Sequence, residues 1–149
     1  MASSLQRIAL YLAIIALTSE PAPADQVHGF VLVRNAKNPT THMSLETVKA
    51  VYSGRTTTWS NGDVLVVVIG PEDSPAMAWL ADTVFHVSAK TLLIRIKQQV
   101  FRGEMPRPIT AADDGATIAA IAAQPNLVGL VSESVAKALP NGVAVIASE

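Results

Sequence analysis

Four short apolar runs decide what this chain can fold into. Val27–Val33 (VHGFVLV), Val64–Ile69 (VLVVVI), Leu127–Val131 (LVGLV) and Val143–Ala147 (VAVIA) are rich in valine and mostly apolar at odd and even positions alike. A strand with one wet face alternates apolar and polar residues, whereas one apolar on both sides must be covered on both. Branched at Cβ, valine fits the extended backbone better than the helix. These runs predict strands sandwiched between two layers.

Between the runs the apolar spacing changes to that of a helix. Ser44 caps the first helix, Leu45, Val48, Val51 and Tyr52 form its inner face, and Gly54 closes it. Ser74 caps the second, with Pro75 at the first helical position, where no N–H is needed, and with Met77, Leu80, Ala81, Val84 and Phe85 inward. Ser88 opens a third, whose Leu92, Ile96 and Val100 face inward while Lys90, Arg95, Lys97 and Arg102 form a solvated outer face. Asp113 or Asp114 caps a fourth that buries Ile118, Ile121 and Ala122 and stops at Gln124-Pro125. A short fifth runs from Ser132 towards Leu139. Strands alternating with helices predict an α/β fold, a small, mainly parallel sheet of four or five strands flanked by helices. Gly103–Pro108 (GEMPRP) is its one long irregular stretch, a surface loop.

The first 24 residues read differently. Arg7 precedes the apolar run Ile8–Leu17, and Thr18–Ala24 is polar and ends Ala22-Pro23-Ala24. That order is a secretory signal peptide, with cleavage expected before Asp25 and a domain over 25–149. Ten apolar residues rise only about 15 Å as a helix, roughly half a bilayer core. Export places the mature chain in the periplasm or outside the cell. With no cysteine anywhere, disulfides and thiolate metal sites are excluded, as is a lipid-modified cysteine. The net charge of −1, without a basic stripe, argues against a nucleic-acid partner.

Candidate chemistry is sparse. His28, His42 and His86 lack metal-ligand spacing with one another or with carboxylates, so no metal or cofactor is expected. Asp113 and Asp114 are neighbours, which do not face each other on a helix, and read as caps. No G-x-S-x-G elbow surrounds Ser74, and no nucleophile, base and orienting group can be assembled, so the chain is not expected to be an enzyme. Trp59, Trp79 and Phe101 are expected to pack as structural aromatics. Arg55, just after Gly54, is the cation most suspected near a site, since glycine-hinged loops often carry function.

Four segments in order resemble the phosphate-binding-protein-like family of solute receptors: Phe30–Pro39 (FVLVRNAKNP); Ser44–Gly62 with Tyr52-Ser53-Gly54 and Trp59; Phe101-Arg102-Gly103 followed by Pro106 and Pro108; and Asn126–Val131 (NLVGLV). The resemblance implies one lobe of a type II periplasmic binding protein, with phosphate or another oxyanion as ligand and a membrane transporter or sensor as partner. It places ligand-binding roles on Ser74 and Ala76, at a helix start suited to anions, with Arg55 added from its loop. Larger members hold phosphate between two lobes, partly through an Arg four residues before Ser-Gly-Thr. Here Gly70 stands in place of that Arg, and Pro75-Ala76 replaces Gly-Thr. Two readings therefore stand side by side: a module that binds a small oxyanion, and an envelope interaction protein that kept the fold after losing the ligand. In the second, a homodimer could supply the missing lobe.

Overall fold

The computed structural model describes residues 29–148. The expected leader, its cleavage point and His28 lie outside the described residues. In chain order the elements are β1 (Phe30–Asn35), β2 (His42–Met43), α1 (Leu45–Tyr52), β3 (Val66–Ile69) and α2 (Pro75–Leu80), which continues as a π-helical turn (Ala81–Phe85). There follow α3 (Ala89–Phe101), β4 (Ile109–Thr110), α4 (Asp114–Ala123), β5 (Leu127–Ser132), α5 (Glu133–Ala136) and β6 (Val143–Ser148).

The strands form one six-stranded sheet in the order β2-β6-β1-β5-β3-β4. Successive residues along the central strands go to opposite sides, as the pleat requires. Leu32, Val67, Val128 and Leu130 join one core with α1, α2, the π turn and α3. Val33, Val68, Leu127 and Val131 join the other with α4 and α5. Both faces of the central strands are covered, which is why the runs are mostly apolar, although Val64 ahead of β3 and Val145 in β6 are exposed.

Direction is less uniform than expected. β3 runs parallel to β4 and β5, and β2 parallel to β6, but β1 is antiparallel to both its neighbours, β5 and β6. Two of the six strands, β2 and β4, are two-residue pairings that no apolar run announces.

Helix starts fall where expected. Ser44 accepts from the Thr47 N–H, Ser74 from Met77, Ser88 from Thr91 and Asp113 from Ala116. α1 ends in a Schellman motif: the Gly54 N–H donates to the Val51 carbonyl (3.3 Å) and the Arg55 N–H to that of Ala50 (2.9 Å). Gly54 supplies the left-handed residue this needs, at φ 77. Trp59 is buried and donates its indole N–H to the Asn126 carbonyl at 2.9 Å.

Several expectations need correcting. Leu45 is half exposed, because it opens α1 where the helix overhangs the core. In α4 the buried positions are Thr117 and Ile121, and Ala122 is exposed, one residue round the helix. Only Asp113 caps α4; Asp114 turns away to another partner. α5 stops at Ala136. Phe101 is 94% exposed. It is the last residue of α3, about 100° round from Val100, on the side away from the sheet. The loop after α3 is not wholly superficial either, since Met105 is buried in the larger core.

Candidate functional site

The three mutually parallel strands β5, β3 and β4 point their carboxyl ends the same way, and a helix follows each. Ligands of open α/β sheets gather at that edge. Here it carries a cavity of about 420 Å³. Its floor is apolar, from Phe30, Val68, Ile69, Met77 and Leu130, and its polar rim comes from Ser74, Asp113, Asp114 and Ser132. Ser74 follows β3, Asp113 follows β4, and Ser132 ends β5, so the sheet topology gathers three segments distant in sequence.

Ser74 Oγ is already engaged, accepting the Met77 N–H at 3.4 Å. The N–H of Ala76, which lines the same cavity, is one of the first-turn donors that no helical carbonyl reaches. Across the cavity the Asp114 carboxylate accepts from both the N–H (3.2 Å) and the Oγ (2.8 Å) of Ser132, tying α4 to the end of β5. Asp113 Oδ1 holds the Ala116 N–H at 2.8 Å.

Tyr52 lines this cavity from α1, and lines the neighbouring cavity beside α3 as well. It is 1% exposed, and its hydroxyl has no hydrogen-bond partner among the described residues. A buried hydroxyl left unpaired forfeits about 1–3 kcal/mol. Burial pushes the phenol well above its ordinary value, so it stays an O–H donor at any physiological pH.

The lining contains two carboxylates and no Lys, Arg or His. This cavity therefore offers neutral donors and charged acceptors, suiting a small polar ligand that brings a proton of its own. An anion without one keeps the neutral donors but is repelled by Asp113 and Asp114. Gly70 explains why no cation is built in at that position: a Cβ there would come within 2.5 Å of Ser74 Oγ. The cap and a side chain at residue 70 compete for one space.

Of the three site residues expected from sequence, the structure brings Ser74 and Ala76 together, while Arg55 lines a different cavity. Sequence reasoning gave Tyr52, Asp114 and Ser132 other places: Tyr52 in the inner face of α1 and in the Tyr-Ser-Gly element, Asp114 as a cap and Ser132 as a helix start. Among the described residues no group of three His, Cys, Asp or Glu side chains is placed to hold a metal ion. No helix of the described residues is long and apolar enough to cross a membrane.

No protein-family model matches this sequence, and no curated protein matches it significantly. The fold, however, has solved counterparts. An ABC-type phosphate transport receptor from Vibrio cholerae superposes with a TM-score of 0.63 at 17% identity, over 81% of this chain and 46% of its own. PstS from Borrelia burgdorferi gives 0.64 at 12% identity, over 82% and 47%. A phosphate-binding protein from Stenotrophomonas maltophilia gives 0.62 at 16% identity, over 82% and 39%. The chain thus has the fold of a single lobe of such proteins and spans less than half the length of each.

Proposed function

We propose that this chain is an exported solute-binding module, cleaved near Asp25 and acting in the periplasm or outside the cell, that takes a small protonated oxyanion such as phosphate at the carboxyl edge of its sheet. The orphaned Tyr52 hydroxyl beside the cavity carries this reading. A ligand oxygen would satisfy it, together with the Ala76 N–H, while Asp113 or Asp114 accepts the ligand's proton. Inorganic phosphate keeps at least one proton near pH 7, because its last ionisation lies far above neutral, and sulfate keeps none. Without a cation, and at an edge that this lobe leaves open, binding is weak, since attraction in open water is several-fold smaller than in a closed cleft. Delivery to a membrane transporter or sensor, rather than chemistry on the ligand, is supported by the likeness of fold to a phosphate transport receptor.

Calorimetric titration of the folded protein tests this. Phosphate should give a saturable isotherm and sulfate none; the absence of heat with both would sink the proposal. Tyr52→Phe is a sharper probe because two readouts move in opposite senses. Removing the unpaired hydroxyl should stabilise the protein by about 1 kcal/mol in urea denaturation, while phosphate affinity falls. Higher stability with unchanged affinity would remove the hydroxyl from the site.

The acidic rim and Gly70 favour a second reading, a lobe that kept the fold as an envelope interaction module, as a homodimer or with another protein. Loss of all anion binding together with a concentration-dependent sedimentation coefficient would select it.

A further inference from the structure

The cavity that Arg55 lines has the opposite character. It holds about 340 Å³ between the end of α1 and the flank of α3, and Lys49, Arg55 and Arg95 all line it, with no carboxylate. None of these three cations pairs with a carboxylate among the described residues. Gln98 adds an amide, and Leu92 and Phe85 give an apolar wall, Leu92 being 1% exposed.

Each cation has an ordinary reason to be where it is. Lys49 sits in the last turn of α1, where positive charge suits the helix carbonyls. Arg55 and Arg95 are exposed. Their convergence is what needs explaining. The Schellman turn at Gly54 folds Arg55 back beside α1, and its Nε donates to Ser53 Oγ at 3.3 Å. Arg95 comes from a different helix, so tertiary packing, not local sequence, gathers three like charges round one hollow. Like charges round one hollow repel, and an anion among them relieves that repulsion. Two guanidinium forks offer the paired donors that recognise phosphate oxygens.

We propose that this cavity, which meets the sheet-edge cavity at Tyr52, is a second anion site, for a phosphate monoester whose compact apolar body lies against Leu92 and Phe85. The size suits such a ligand, falling at the lower end of small-molecule pockets. Charge at this site comes from side chains, whereas the sheet edge offers only neutral donors, so the two sites prefer different ligands.

Phenyl phosphate titrated into the full-length protein is the test, with phenol as the uncharged control and folding checked by circular dichroism. Saturable binding of phenyl phosphate and none of phenol is expected. Arg55→Ala and Arg95→Ala should each weaken it about tenfold or more, as expected for loss of a charge-assisted contact, while Lys137→Ala, an equal loss of charge elsewhere, should leave it unchanged. No saturable binding by folded protein, or binding that survives both arginine substitutions, would overturn the proposal. So would equal weakening by Lys137→Ala, which would reduce the effect to net charge.

Discussion

Gly129→Val should leave the protein largely unfolded, and Gly129→Ala should destabilise it by about 2–3 kcal/mol, the cost of overpacking a tight core. Gly129 lies in the middle of β5, paired with Val33 of β1. A Cβ at this position would meet Thr117 Cγ2 at 2.8 Å, Ile121 Cδ1 at 3.2 Å and Val68 Cβ at 3.2 Å. The missing side chain is what lets α4 lie close to the sheet. Thr117 cannot swing aside freely, because its Oγ1 donates to the Asp113 carbonyl at 3.0 Å. Valine adds two further methyl groups where one already fails to fit, against a total stability of about 5–15 kcal/mol for a domain. Urea midpoints measure the effect. Thr117→Ser removes the clashing methyl but keeps the hydroxyl bond, so it should recover roughly 1 kcal/mol in the Gly129→Ala background. A Gly129→Ala variant as stable as the wild type would show that α4 is free to move off the sheet.

Gly129 also marks where the sequence stopped being legible. LVGLV reads plainly as a buried strand, since no polar residue interrupts it on either face. The helix starts at Ser44, Ser74 and Ser88 were equally plain, because each does locally what a capping side chain does anywhere, while at α4 the sequence left Asp113 and Asp114 undivided. Strand direction was not plain. An apolar run buries itself equally well pointing either way, so nothing in FVLVRN shows that β1 runs against β5 and β6. Alanine hid the inner face of α4, because IAAIAA offers small apolar side chains all round the helix and Thr117 takes the buried place that Ala122 was expected to hold.

The two cavities divide the same way. Ser74 and Ala76 were legible because a helix N-terminus is a local feature. Tyr52 was legible as a core aromatic and as part of the Tyr-Ser-Gly element, but not as an unpaired hydroxyl, which depends on what distant segments place around it. Arg55 stood out beside a glycine hinge, but its companions Lys49 and Arg95 became visible only once α1 and α3 were packed together. Charge balance illustrates the limit well. A net charge of −1 describes the whole chain, yet folding sorts that balance into one cavity lined by carboxylates and another lined by cations.

The same dependence on long-range packing makes Asn35 the second position of large effect. At the end of β1 its side chain is buried, and its Nδ2 donates to the carbonyls of Ile121 (2.9 Å) and Ala122 (3.2 Å). Its Oδ1 accepts the Lys37 N–H at 2.9 Å. α4 has no glycine to close it: Gln124 turns into the extended conformation and Pro125 follows. A side chain from a strand some 86 residues away thus serves as its C-terminal cap. Asn35→Asp keeps the shape and the Lys37 contact but replaces a donor by a negative charge facing two carbonyls at the negative end of a helix. The expected loss is about 3 kcal/mol at pH 7, the sum of stranded acceptors and repulsion. The sign with pH follows from that placement. Such an aspartate would have its folded-state pKa raised above the usual value of about 3.9, because only its protonated form can donate. Its penalty should therefore shrink as pH falls towards 4 and grow as pH rises through the raised pKa. Paired urea denaturations of the wild type and Asn35→Asp at pH 7 and pH 4 measure both the loss and its slope. A variant within about 0.5 kcal/mol of wild type at pH 7, the scale of an unremarkable surface change, would mean that α4 closes without help from β1.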